Sequence, residues 1–244
     1  MMYDAELPPE GSEHRVLCVG AHPDDVEMGM GGTVAALVAR GHAVTIVDLT
    51  RGQLGTYGDP ETREAEARVA AERLGVELRI LDHEDGAVTD DLAGRHEMVR
   101  LLREIRPSLV FAPYPHARTG ALDGRANVDH LATGLLVREG TKLARFRRLM
   151  PERPPWTVRR LLYYMVPDDR RPSFVVDVSA HEATLRSAIS AYASQLEISR
   201  SERPILDVLM AWRQSHGLRI GVPLGEGFLC EDALGGDVEH LLSI

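Results

Sequence analysis

Short, nearly continuous apolar runs alternate along this chain with longer amphipathic ones, and that alternation predicts its elements. "RVLCVGA" (15–21) is apolar at almost every position, as a strand covered on both faces must be. "GTVAALVARG" (32–41) reads as the helix that follows, closed by Gly41, and "AVTIVDLT" (43–50) as a second strand. A Gly-rich loop, "RGQLGTYGDP" (51–60), leads to a helix from about Glu61 to Leu74 that Gly75 stops. "VELRILD" (76–82) is a third strand, "HEMVRLLREIRP" (96–107) a helix ended by its proline, and "SLVFAPY" (108–114) a fourth strand. Next come a long polar loop, "PHARTGALDGRANVD" (115–129), and a helix from about His130 to Arg148. "RRLLYYM" (159–165) and "SFVVDVS" (173–179) read as two more strands, and "HEATLRSAISAYASQL" (181–196) as one amphipathic helix. The remainder is less regular; "RIGVPLGEGFLCED" (219–232) reads as an extended segment near the ligand-bearing edge of the sheet.

Strands and helices in this order predict an α/β fold, a Rossmann-like three-layer sandwich around a mostly parallel central sheet. The 244 residues suit one domain spanning 1–244, with 1–13 as a flexible N-terminal segment. No apolar run approaches the roughly 20 residues that cross a bilayer, and the start of the chain is acidic where a signal peptide is basic, so a cytoplasmic location without membrane contact is expected. A net charge of -9 argues against a nucleic-acid partner. Cys18 and Cys230 read as reduced thiols, with no disulfide framework and no thiolate zinc site.

The candidate chemistry sits where the first strand ends, in "AHPDDVEMGMGGT" (21–33). A dinucleotide fingerprint fails on spacing, because the turn holds His22, Pro23, Asp24 and Asp25, and Gly29, Gly31 and Gly32 arrive a helical turn late. A capping box of Asp24 with Glu27 explains one acid but not two acids and an imidazole. A metal explains all three, with His22 and Asp25 as ligands and Asp24 as the general base for an attacking water. A third ligand is sought in "ANVDHLATG" (126–134), where Asp129 and His130 open a helix after the fourth strand, at the same edge of the sheet.

Together, "AHPDDVEMGMGGT" and the later "VDH" resemble the LmbE-like or PIG-L family of zinc-dependent N-deacetylases. "TRGQLGTYGDPETREAEARVAAERLGV", "SFVVDVSAHEATLRSAISAYASQ" and "HGLRIGVPLGEGF" extend the resemblance over most of the chain, toward the bacillithiol-biosynthesis deacetylases acting on N-acetylglucosaminyl malate. The resemblance implies one Zn2+ per chain on His22, Asp25 and His130, with Asp24 as general base; the ligand types also suit other divalent metals. It further implies a small amino-sugar conjugate as partner and leaves room for a homo-oligomer. The family reads His-Pro-Asp-His in its second motif, its first His acting as general acid or oxyanion stabiliser oriented by the Asp; here the stretch is Asn127-Val128-Asp129-His130. Asn127 can donate to an oxyanion but cannot release a proton.

Three accounts of the acid step stand: His116 in the extended loop substitutes, Asp24 serves as both base and acid, or turnover is slow or on another substrate. The bifunctional Asp24 ranks first because it requires no special loop geometry. Arg51 and Arg63 are candidates for holding substrate carboxylates, the alternative for Arg63 being a surface ion pair on its helix. Glu226 matches a residue of the resembling subfamily and has no role beyond lining the site. The rival to an enzyme is a sugar- or metal-binding protein, against which the retained Asp24 weighs; rival substrates are an inositol glycoside, an oligosaccharide or an antibiotic intermediate.

Overall fold

The computed structural model describes residues 13–116, 127–167, 170–200 and 202–231. Most of the expected N-terminal segment (1–13) and most of the loop after the fourth strand therefore lie outside the described residues. Five parallel strands form the central sheet: β1 (Arg15–Gly20), β2 (Ala43–Thr50), β3 (Glu77–His83), β4 (Leu109–Pro113) and β5 (Arg160–Tyr164), in the order β3-β2-β1-β4-β5. Alternate residues of β1 enter two different cores. Leu17 and Val19 pack with α3 (Leu92–Ile105) and α4 (Val128–Ala144) on one face. Val16 and Cys18 pack on the other with α1 (Asp25–Ala39) and with Leu74 of α2 (Pro60–Leu74). Coverage on both faces is why the strands read as continuous apolar runs. Cys18 is buried, and neither Cys18 nor Cys230 forms a disulfide among the described residues. No helix among the described residues is long and apolar enough to cross a membrane.

Capping explains some of the helix boundaries. Asp59 accepts from the Thr62 amide, Pro60 takes the first helical position, and Gly75 closes α2 at φ 74°. Asp91 caps α3 through the Gly94 amide, so that helix begins four residues before its expected start at His96. α4 ends at Ala144 rather than Arg148 because the buried Arg103 guanidinium donates to the carbonyls of Ala144, Phe146, Leu149, Met150 and Arg153 and folds the chain around itself. α1 starts at Asp25 rather than Gly32 and carries a break at Met30 (φ -152°, ψ 22°).

"SFVVDVS" is a strand as expected: β6 (Phe174–Asp177) pairs antiparallel with β9 (Gly225–Phe228) in a two-stranded sheet outside the central one, tied to β5 by the Tyr163–Leu229 bridge. Two further expectations are corrected. The helix expected over 181–196 divides into α5 (Glu182–Ile189) and α6 (Ala193–Leu196). The Ser190 hydroxyl bonds back to the Arg186 carbonyl at 2.6 Å, the buried Tyr192 packs against Ala67 and Ala70 of α2, and Ser194 is held by both oxygens of Glu66. The supposedly irregular last third holds α7 (Ile205–Leu218), which buries Ile205, Leu209, Met210, Arg213 and Gly217, after the short hairpin of β7 (Ser199–Arg200) and β8 (Arg203–Pro204).

Candidate metal centre

The chain leaves β1 toward β2 on one side and reaches β4 on its other side, so the C-terminal ends of β1 and β4 flank the switch point of the sheet, where open α/β folds gather ligands. His22, Asp24 and Asp25 follow β1 there, and Asp129 and His130 open α4 after β4. Asp24 sits at φ 107° and makes no capping hydrogen bond, which corrects the capping-box alternative. A non-glycine residue held in the left-handed region is a strain that surrounding structure must sustain. Arg63 sustains it here: its buried guanidinium donates to the Pro23 carbonyl and to the Gly52 carbonyl, and lies 3.3 Å from Asp24 Oδ2.

Asp25 anchors the turn through Oδ2, which accepts from the backbone N–H groups of Ala21 and His22, both at 2.9 Å. Its Oδ1 lies 2.9 Å from His130 Nε2, and His22 Nδ1 lies 3.4 Å from Oδ2. Donor atoms of His22, Asp25 and His130 fall within 4.8 Å of one another. Ligands of one tetrahedral ion, each about 2.1 Å from it, are roughly 3.4 Å apart, so the donor set and its spacing fit a zinc-type cation with a position left for water. His22 Nε2 points away from this group, 3.1 Å from Asp85 Oδ1 and 3.3 Å from Asp129 Oδ2.

His22, Asp85 and Asp129 also satisfy the spacing of a metal cluster. Their carboxylates are already committed: Asp129 accepts from the amides of Gly86 and Val88, and Asp85 Oδ2 from that of Leu54. This second group is a hydrogen-bonded brace that fixes the His22 ring with its Nδ1 toward Asp25, the outer support that imidazole ligands ordinarily have. Sequence reasoning missed Asp85; an acid just past β3, at the same edge of the sheet, was the available signal.

The charges follow from the packing. Burial works against charge on His22, yet the hydrogen bond and charge of Asp25, then the charges of Asp85 and Asp24, raise its imidazolium to about 9. Burial likewise opposes charge on His130, and Asp25 outweighs it, so that imidazole is raised too. Burial pushes Asp25 up, but His130 and His22 hold its carboxyl well below the usual range. Asp24 is pushed up to about 7 by burial and then by the charge of Asp25, against the pull of Arg63, His22 and His130. The site is thus a buried network of imidazole and carboxylate groups in which both imidazoles are raised and Asp25 is lowered.

The other candidates lie further out. Asn127 caps α4, its Oδ1 accepting from the Asp129 amide at 2.8 Å. His116 is exposed, its ring against Tyr114 and its Nε2 3.4 Å from Glu231. Arg51 is half-buried and reaches Glu61 and Glu64, both at 3.2 Å. Arg63 is 4% exposed, so it is no surface ion pair of its helix.

Residues 17–140 match the family described as "PIG-L: GlcNAc-PI de-N-acetylase", a span that includes every residue of the centre. The chain belongs to this family. It is a metal-dependent N-deacetylase by that membership. It is 31% identical to the "Diacetylchitobiose deacetylase" of Thermococcus kodakarensis over 77% of this chain and 72% of that protein. It is 28% identical to the Bacillus anthracis protein named "Probable N-acetyl-alpha-D-glucosaminyl L-malate deacetylase 2", over 71% of each. Among solved structures, the conserved protein TT1542 from Thermus thermophilus superposes with a TM-score of 0.81 at 33% identity, covering 92% of this chain and 97% of that one.

Proposed function

We propose that this N-deacetylase removes acetate from a small N-acetylglucosamine conjugate, N-acetylglucosaminyl malate of bacillithiol biosynthesis, in the cytoplasm. The carrying observation is the convergence of His22, Asp25 and His130 donors beside the strained Asp24, which makes no capping hydrogen bond. The named relatives supply the substrate class: one acts by name on a disaccharide and the other on a malate glycoside, and N-acetylglucosamine is what the two share. Zn2+ is the proposed metal, held by His22, Asp25 and His130; bound there, it would supply Lewis acidity to the acetamide carbonyl and acidify a water.

The rest is the work of the chain. Asp24 takes a proton as water adds to the carbonyl carbon, and returns it to the nitrogen as the C–N bond breaks, so acetate and a free amine leave. A carboxylate can both accept a proton and return it, so one group serves both directions of transfer. Asp24 is favoured over His116 for the acid step because the described contacts of His116 are with Tyr114 and Glu231. Asn127 has its oxygen engaged in capping, which leaves its amide N–H groups as donors, and it cannot serve as an acid. Asp129 orients His22, Arg63 holds Asp24 in its strained turn, and Arg51 is the remaining candidate for a malate carboxylate.

The test is amine release from N-acetylglucosaminyl malate, N,N'-diacetylchitobiose and free N-acetylglucosamine by metal-loaded protein. The malate conjugate is expected to give the highest kcat/KM, and Asp24→Asn to keep its metal while losing about 10²- to 10⁴-fold in kcat. Preference for chitobiose would replace the malate assignment. Tight metal binding without turnover on any of the three would favour the binding-only reading.

A further inference from the structure

The metal-bearing turn is the beginning of a helix that is broken one and a half turns later, and the break is filled by a buried ion pair from the far end of the chain. Past Met30, the N–H groups of Gly32 and Thr33 turn to Glu226: Gly32 donates to Oε1 at 3.0 Å and Thr33 to Oε2 at 2.6 Å. Before the break, the carbonyls of Met28 and Glu27 accept from Arg213 Nη2 at 2.8 and 3.4 Å. Arg213 Nε donates in turn to Glu226 Oε1 at 2.8 Å, and both side chains are almost fully buried. A continuous helix directs those amides at the carbonyls of Met28 and Gly29, four residues back. Here a carboxylate caps the second segment at its positive end and a guanidinium caps the first at its negative end. A side chain inserted into the ladder is a recognised cause of a kink.

Resting on the reading of His22, Asp25 and His130 as the metal site, we propose that Glu226 and Arg213 are positioning residues for that site: the pair fixes the break in α1, and the break sets where Asp24 and Asp25 stand relative to His130. The first segment, Asp25 to Gly29, is too short to hold its direction alone, and it carries the ligand Asp25 directly after the base, Asp24. Its direction is imposed by α7 and β9, which bring Arg213 and Glu226 and which are locked together where Gly217 meets the backbone of Val222 to Leu224 without room for a Cβ. Gly32 leaves the same space for Glu226, since a Cβ there would fall 3.1 Å from Oε1 and 2.8 Å from Val178 Cβ.

The experiment compares wild type, Glu226→Gln and the neutral pair Arg213→Met with Glu226→Gln, by metal affinity in chelator competition, the absorption spectrum of the Co2+-loaded protein, and thermal stability. Supporting residues of metal sites are typically worth 10- to 100-fold in affinity, so both variants are expected to bind at least about tenfold more weakly and to shift the Co2+ spectrum. The neutral pair is expected to recover melting temperature lost by Glu226→Gln without recovering either metal readout. If Glu226→Gln does not fold, Arg213→Lys, which keeps the charge but loses the reach to Met28 and Glu27, supplies the same comparison. Wild-type affinity and spectrum in the variants, whatever their stability, overturn the inference alone. Absence of metal binding by wild type overturns the metal reading and this inference with it.

Discussion

Asp129 and His22 meet across 107 positions of sequence, His22 Nε2 donating to Asp129 Oδ2 at 3.3 Å while the same carboxylate takes the amides of Gly86 and Val88. One side chain from the start of α4 thereby ties the loop after β3 to the turn after β1. It also fixes which ring nitrogen of His22 is left for Asp25 and His130. Orientation and tautomer of an imidazole ligand are set by such partners.

Asp129→Asn is therefore expected to keep the fold and weaken metal binding by about 10- to 100-fold. The amide oxygen can replace only one of the two carboxylate oxygens, so the amide NH2 must face at least one of the three N–H donors. Chelator competition on the purified variant measures this, and an unchanged dissociation constant would show that Asp129 serves only the loop.

The glycines behind the motif carry a second expectation. A Cβ on Gly29 would lie 2.5 Å from Tyr164 Cδ2 and 2.8 Å from Cε2, and that ring is fully buried with its hydroxyl bonded to the Val19 carbonyl at 2.9 Å. At Gly31 the nearest atom is a flexible end, Leu185 Cδ1 at 3.1 Å. Gly29→Ala is expected to cost about 1–3 kcal/mol by overpacking. Gly31→Ala should be close to neutral, because helix propensity returns about 1 kcal/mol. Urea unfolding of the two variants gives the order, and the reverse order would sink this account of the packing.

The parts legible in the sequence were those with a local or periodic signature. β1, β2 and β4 announced themselves by two-sided burial, α2 by Gly75, and the candidate site by the crowding of His22, Asp24 and Asp25. What stayed hidden was long-range. Nothing near Arg213 says that its partners are Glu27 and Met28, 185 residues and more upstream, or that the amides of Gly32 and Thr33 beyond the break at Met30 turn to Glu226. The end of α4 depends in the same way on Arg103, forty residues earlier, gathering carbonyls. Asn127 sits where the family's motif has histidine, and its spacing before Asp129 is that of an ordinary helix cap.

Asp48 offers the clearest pH signature in the protein. It ends up beneath the metal turn, opposite Gly20 in the β1–β2 register, so close that a Cβ on Gly20 would fall 2.7 Å from its Oδ1. It is fully buried, and neither carboxylate oxygen has a hydrogen-bond partner among the described residues. Burial, then the charges of Glu27, Asp25 and Asp24, raise its carboxyl well above the ordinary range. Folded Asp48 therefore keeps its proton at pH values where the unfolded chain, with a pKa of about 3.9, has lost it. The folded state binds more protons, so this residue's contribution to stability falls as pH rises, by about 1.4 kcal/mol per unit between the unfolded and folded pKa values. Asn cannot ionise and removes that slope. Asp48→Asn is accordingly expected to be more stable than wild type at about pH 8, with the advantage shrinking to a small residue near pH 4, the unfolded pKa. Urea midpoints of the two metal-free proteins across that range decide it, and a difference that does not vary with pH would mean that Asp48 titrates alike in the folded and unfolded chains.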